Sequence, residues 1–197
     1  MPKGFMPKDV KLSRIVIDAL EEVIDIVKDL NIDYAVMGGI ALQAWGRERV
    51  TRDIDLIIYL GEIERTEFLQ ALTKRGVKIS KREGLNEKGA FLPISCYYEE
   101  KTYGLPLEID FFIADTDYQK KALARSLGIE VLGKKVKIIQ PEDLILHKLL
   151  ANRPIDRLDV ETVILEQKDS LDKEYLFNWA RILGVSRRLN LFLKGDT

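Results

Sequence analysis

The chain has 197 residues, with 31 Lys and Arg against 32 Asp and Glu and a formal net charge of −1. That length suits one sizeable core, or a catalytic domain with a small helical annex, and near-neutrality excludes a global positive field that would draw in nucleic acid or an acidic membrane. A single cysteine, Cys96, excludes an intrachain disulfide and a cysteine-based zinc site, so no structural metal is expected. No stretch approaches the ~20 apolar residues of a membrane span. The first eight residues, Met1 to Lys8, lack the apolar core of a signal peptide. A soluble cytoplasmic protein with no membrane partner is the expectation. RNA contact would have to rely on local patches: Lys74-Arg75 with Lys78, Lys81 and Arg82; Lys134-Lys135 with Lys137; and Arg187-Arg188 with Lys194. Each reads first as a solvated face.

In chain order, Leu12, Ile15, Val16, Ala19, Leu20, Val23, Ile26, Val27 and Leu30 recur at three- and four-residue steps, which predicts one long amphipathic helix. A strand over Tyr34–Met37 follows, then a Gly38-Gly39 turn and a short helix to about Trp45. Gly46 to Arg49 form a loop into a strand that begins at Asp53. A helix is predicted over Glu62–Arg75, with Gly76 as its stop. Three strands follow, near Val77–Ser80, Ile94–Tyr98 and Leu107–Ile113, broken by the polar segment Arg82–Gly89 and by Gly104-Leu105-Pro106. A helix near Tyr118–Leu127 precedes paired short strands, Ile129–Leu132 and Val136–Ile139. From Pro141 the pattern turns helical: Pro141–Asn152, opened by a first-turn proline with Glu142 and Asp143, then Pro154–Gln167, then Lys173 to near the C-terminus. A boundary near residue 140 therefore divides an α/β part, 1–140, from a helical subdomain, 141–197.

Gly38-Gly39 closes one apolar run, and after thirteen intervening residues Asp53-Ile54-Asp55 opens another. Successive strand side chains point to opposite faces, so Asp53 and Asp55 project together with Ile54 behind them. Carboxylates are depleted in strands, and a pair beside a glycine turn is more than a solvated strand end. Two carboxylates next to backbone that approaches phosphate closely suit a divalent metal carrying a nucleotide phosphate. Asp110, in the run Leu107–Ile113, is placed to join them, and Glu108 shares its face.

Residues 34–60 resemble the signature of the DNA polymerase β-type nucleotidyltransferase superfamily: an apolar residue, Gly-Gly or Gly-Ser, a gap of about ten residues, then Asp-apolar-Asp. Pro141-Glu142-Asp143-Leu144, His147-Lys148-Leu149, Arg153, Asp156 and Asp159 are similar to a downstream motif of small prokaryotic nucleotidyltransferases, including abortive-infection type toxins. The resemblance implies a mixed α/β (α+β) sheet flanked by helices, with a C-terminal helical annex. It implies transfer of a nucleoside monophosphate from an NTP to a hydroxyl, with Mg2+ (or Mn2+) as cofactor. Asp53, Asp55 and Asp110 would be the catalytic carboxylates and metal ligands. Glu108 ranks below Asp110, because the family's third carboxylate usually lies between apolar residues, as Asp110 does.

Gly38, Gly39, Arg49, Thr51 and Lys148 would bind the nucleotide, with Arg153, Asp156 and Asp159 supporting. Arg49 and Thr51 would touch phosphate or brace the loop. The plain alternative for Lys148 is a snorkelling surface residue, and for Asp156 and Asp159 surface ion pairing with Arg153 and Arg157. His147 reads as a helix-packing residue, Cys96 as a buried small hydrophobe, and Trp45 and Trp179 as core. Acceptors in the resembling proteins include tRNA ends, partner proteins and antibiotics. The alternative reading is a nucleotide-binding, weakly catalytic member of a toxin–antitoxin pair.

Overall fold

The computed structural model describes residues 8, 10–63, 65–80, 93–99, 104, 106–131 and 134–193. The first helix, α1 (Arg14–Asp29), buries Val16, Ala19, Leu20, Val23 and Val27 along one stripe. It stops where Asn31 turns left-handed at φ 54° and the Ile32 N–H donates back to the Val27 carbonyl at 2.7 Å. Then come β1 (Asp33–Val36), α2 (Gly38–Trp45), β2 (Asp53–Tyr59), α3 (Arg65–Lys74) and β3 (Lys78–Ile79). The middle of the chain supplies β4 (Ile94–Glu99), β5 (Pro106–Ile113), α4 (Asp117–Ala124), β6 (Leu127–Val131) and β7 (Lys134–Ile138). Four helices complete it: α5 (Pro141–Ala151), α6 (Pro154–Gln167), α7 (Lys173–Ile182) and α8 (Ser186–Leu193).

Among the described residues the strands form one mixed sheet in the order β3-β4-β5-β2-β1-β7-β6. The pairs β2/β5 and β1/β7 are parallel and the rest antiparallel. Side-chain alternation gives the sheet two different faces. Leu56 and its register partner Phe111 point to the back, where Phe68 of α3 meets Phe111 edge-on with ring centroids 5.1 Å apart. On that side α1 packs against α3, and Arg75 ties them through Glu22 and Asp29. The front carries Asp53, Asp55 and Tyr59, with Lys120 of α4 above the Tyr59 ring.

The C-terminal helices are fastened to this front by buried polar contacts. Glu142 and Asp143, which the sequence presents as first-turn acids of α5, are fully buried. Glu142 accepts from the Asp172 N–H at 2.7 Å and from Arg125 at 3.1 Å, and the Tyr175 hydroxyl donates to Asp143 at 2.7 Å. Burial pushes the Asp143 carboxyl up to about 7, opposed by Tyr175 and Arg125. Burial likewise lowers His147 to about 4, and its ring lies 5.5 Å from Tyr118, as a helix-packing residue. Trp45 is buried: its indole N–H donates to the Ile139 carbonyl at 2.7 Å, and its own carbonyl accepts from Gln167 at 2.9 Å. Those two bonds pin α2 to the β7–α5 junction and to α6. Cys96 is also buried.

Three departures concern where helices begin or end by more than a residue, while several strands shift by one or two residues at their ends. The expected helix from Lys173 is two helices, because Gly184 turns left-handed at φ 70° and closes α7. The helix expected from Glu62 starts at Arg65, after a turn in which the Ile63 N–H bonds the Leu60 carbonyl. The helix expected to Leu127 ends at Ala124, since Leu127 already pairs with Ile138 in the β6/β7 ladder. The polar break Arg82–Gly89 lies outside the described residues. Among those described, no helix is long and apolar enough to cross a membrane.

Trp45→Phe removes the donor to the buried Ile139 carbonyl while keeping most of the apolar volume. It is expected to destabilise the fold by about 1–3 kcal/mol, measured by urea unfolding.

Candidate active site

The acidic site is built by strand register. In the parallel β2/β5 pair, Asp53 is opposite Glu108 and Asp55 is opposite Asp110. Adjacent strands run about 4.8 Å apart, so four carboxylates share one patch of the front face. Behind them Ile54, Leu56, Ile109 and Phe111 are fully buried, which fixes the strands and hence the acids.

The diglycine closes over this patch. The Met37 N–H donates to the Asp55 carbonyl at 2.8 Å, and α2 starts at Gly38, whose φ is +60°. A Cβ at Gly38 would lie 1.7 Å from Oδ2 of Asp55, and one at Gly39 would lie 2.5 Å from Oγ1 of Thr51. Both glycines are therefore required by contact, and Gly38 by its backbone conformation as well. The arrangement sets the Asp55 carboxylate against the positive end of α2. Hydroxyls hold the flanking acids: Thr51 donates to Oδ1 of Asp53 and Ser95 donates to Oδ1 of Asp110, each at 2.6 Å.

Beside the acids is a network of cations gathered by two buried carboxylates. Lys148 is 6 % exposed and donates to Asp156 at 3.1 Å and to Asp159 at 2.8 Å. It is not a snorkelling surface residue. Asp159, fully buried, also accepts from Nη2 of Arg47 at 2.9 Å, Nε of Arg47 at 3.2 Å and Arg49 at 3.5 Å. Asp156 is gripped by Arg153 through both guanidinium and backbone N–H donors. Asp156 and Asp159 are thus interior carboxylates: Asp156 pairs with the exposed Arg153, and Asp159 pairs with Lys148, Arg47 and Arg49. Arg49 and Thr51 brace the loop before β2, and the side chain of Gln43 adds a bond to the Arg49 carbonyl at 2.9 Å. Lys148 and Arg153 both act through space on Asp55, so the network faces the acidic patch.

Of the site residues expected from sequence, the structure brings Gly38, Gly39, Thr51, Asp53, Asp55 and Asp110 together. Arg49, Lys148, Arg153, Asp156 and Asp159 form the adjoining network. Sequence reasoning missed Ser95 and Arg47. A serine inside a strand carries no signal until the β4/β5 register sets it beside Asp110, and Arg47 acquires its partner only across 112 residues.

Residues 16–184 match the model of a family described as nucleotidyl transferase of unknown function (DUF2204). The chain belongs to this family. Among curated proteins, none matches this nucleotidyltransferase by sequence. Several solved structures share its fold. An antigenic nucleotidyltransferase-like protein from Paracoccidioides brasiliensis is 22% identical, covering 93% of this chain and 94% of its own, with a TM-score of 0.53. ANT(2″)-Ia, solved in complex with adenylyl-2″-tobramycin, is 16% identical over 90% of this chain and 99% of its own, with a TM-score of 0.58. A putative nucleotidyltransferase from Thermotoga maritima is 15% identical over 73% and 89%, with a TM-score of 0.51. At these identities the likeness concerns the fold alone.

Nucleotidyltransferases of this kind generally use a divalent metal, and the acidic patch can be tested for the fit. Among the described residues, no group of three His, Cys, Asp or Glu side chains could by itself hold a metal ion. A hard divalent cation needs less, since it keeps several waters and shares phosphate oxygens with its nucleotide. The donor chemistry fits such an ion. Burial raises the Asp55 carboxyl to about 7, and the like charges of Asp53 and Asp110 add to the rise. A cation bound there would offset that repulsion.

Between pH 3.8 and about 7, Asp55 holds in the folded chain a proton that it has lost in the unfolded one. The resulting stability is fully present below pH 3.8 and is lost as pH rises through about 7. With EDTA present, Asp55→Asn is expected to gain stability relative to the parent between pH 5 and pH 8, measured by urea unfolding at both. Asp159→Ala is expected to cost about 3 kcal/mol in the same measurement, because three cations converge on that buried carboxylate. The cost stays at the lower end of the range for a buried pair because Lys148 keeps Asp156.

Proposed function

We propose that this nucleotidyltransferase moves a nucleoside monophosphate from an NTP to an acceptor hydroxyl, with Mg2+ or Mn2+ as cofactor. The observation that carries the reading is the parallel register that sets Asp55 beside Asp110 directly beneath the Gly38 turn. In this reading Asp53 and Asp55 ligate the metal, and Asp110 joins them or accepts the proton of the attacking hydroxyl. The bound divalent ion would supply charge neutralisation at the α-phosphate and the leaving pyrophosphate. The acceptor oxygen forms the new bond to the α-phosphorus, the α–β phosphoanhydride bond breaks, and pyrophosphate departs with the electron pair. Gly38 and Gly39 let phosphate oxygens approach the backbone at the start of α2. Lys148, Arg49 and Arg153 offset the charge of the triphosphate, and Thr51, Asp156 and Asp159 hold their neighbours in place. The division at residue 140 then has a chemical meaning: the acids belong to residues 1–140, and two of the four network cations, Lys148 and Arg153, to the annex, 141–197.

The acceptor class is weighed on charge and fold. Of the basic patches, Arg75, Lys78, Lys134 and Lys137 are each ion-paired with a carboxylate, which supports a small or protein acceptor over a long RNA footprint. ANT(2″)-Ia, whose complex holds adenylyl-2″-tobramycin, shows that this fold accommodates an antibiotic-sized product. A tRNA end, a cognate protein and a small hydroxylated molecule are the three acceptor pools to compare, in a cytoplasmic setting.

The test is incubation with each α-labelled NTP and Mg2+ or Mn2+, alone and with total tRNA, cell protein or an antibiotic panel. Label is expected in one pool, with pyrophosphate release, and to be lost in Asp53→Ala and Asp55→Ala. Wild-type transfer by either variant would remove these residues from the site. Metal-dependent NTP binding without transfer would favour the nucleotide-binding member of a toxin–antitoxin pair.

A further inference from the structure

We infer that Ser95 is a positioning residue of the acidic site: its hydroxyl fixes the carboxylate of Asp110 for metal binding. The inference rests on the metal reading above. Ser95 lies on β4, antiparallel to β5, and its register partner is Asp110. Directly opposite residues of an antiparallel pair point to the same face, so Ser95 belongs to the front patch. Its Oγ donates to Oδ1 of Asp110 at 2.6 Å, a short, charge-assisted bond. The backbone beneath is held on both sides. The Ser95 carbonyl accepts from the Ser80 N–H at 2.8 Å, and its neighbours Ile94 and Cys96 are buried. The hydroxyl is therefore delivered from a fixed position rather than from a mobile loop.

Asp53 and Asp55 are restrained as well. Thr51 supplies a hydroxyl to Asp53 at 2.6 Å, and Asp55 is packed against Gly38. Ser95 does for Asp110 what Thr51 does for Asp53, but from the neighbouring strand β4. A carboxylate that must ligate a metal depends on the donor that orients it, and losing such a donor typically weakens metal affinity about 10- to 100-fold. Serine offers the smallest side chain able to donate from β4. Threonine keeps the donor, while alanine removes it and keeps the strand.

The test is Mn2+ titration followed by electron paramagnetic resonance of the free ion. The proteins are the parent, Ser95→Ala, Ser95→Thr and Asp110→Asn, each with the α,β-methylene analogues of ATP, CTP, GTP and UTP in turn. Ser95→Ala is expected to raise the Mn2+ dissociation constant about tenfold at an unchanged thermal midpoint, with Ser95→Thr returning to within about twofold of the parent. Parent-like Mn2+ affinity in Ser95→Ala, or loss in Ser95→Thr equal to that in Ser95→Ala, would overturn the assignment while leaving the metal site standing. Absence of Mn2+ binding by the parent protein would remove both the metal reading and this inference.

Discussion

The Asp55 carboxylate lies against a backbone position that can carry no side chain. That contact constrains everything around it. The start of α2 and the start of β2 must approach closely enough that a single methyl group at Gly38 would collide with the acid. Such an approach is possible only if β1 leads straight into α2 and pairs antiparallel with β2, as Val36 opposite Leu56 and the Met37–Asp55 backbone bond require. Trp45 then holds the far end of α2, through Ile139 on one side and Gln167 on the other. The apolar backing of β2 and β5 keeps the acids from yielding to the strain of their mutual repulsion.

Charge is balanced locally instead of across the whole molecule. A chain with a net charge of −1 has no field to guide a polyanion. Here a compact group of carboxylates on the sheet face is set beside a network in which, among the described residues, Lys148, Arg47, Arg49 and Arg153 share the buried Asp156 and Asp159. In that network the cations outnumber the two carboxylates, while on the sheet face like charges crowd together. The two imbalances face each other, which is the electrostatic shape suited to a ligand that is itself both anionic and metal-bearing.

The parts of this arrangement that were legible in the sequence are those set by short-range geometry. Gly38-Gly39 and Asp53-Ile54-Asp55 show themselves because a turn and an alternating strand are local patterns. Asp110 could be proposed from its own apolar run, but its pairing with Asp55 depends on a parallel register that no periodicity encodes. The same register puts Glu108 opposite Asp53, which the sequence shows only as two acids on one strand face. Lys148, Asp156 and Asp159 were visible as a resembling motif, yet their burial was not: charged residues at helical spacing look the same on a surface as in an interior. Glu142 and Asp143 were hidden by a sufficient local explanation, since Pro-Glu-Asp is a general way to start a helix. Gly184 was in plain view, but the apolar pattern continues across it and disguises the break between α7 and α8.

The bond between Arg47 and Asp159 also imposes an order in time. A ribosome adding roughly 5–20 residues per second exposes the loop before β2 some 5–20 s ahead of the carboxylate that neutralises it. Through that interval the acidic strand and its arginines exist without α6, so a nascent chain carries the signature but not the balanced site. Completion of the centre is thereby tied to the arrival of the C-terminal helices, and a chain released before them would hold its acids without Lys148, Arg153 and the carboxylates that gather the cations.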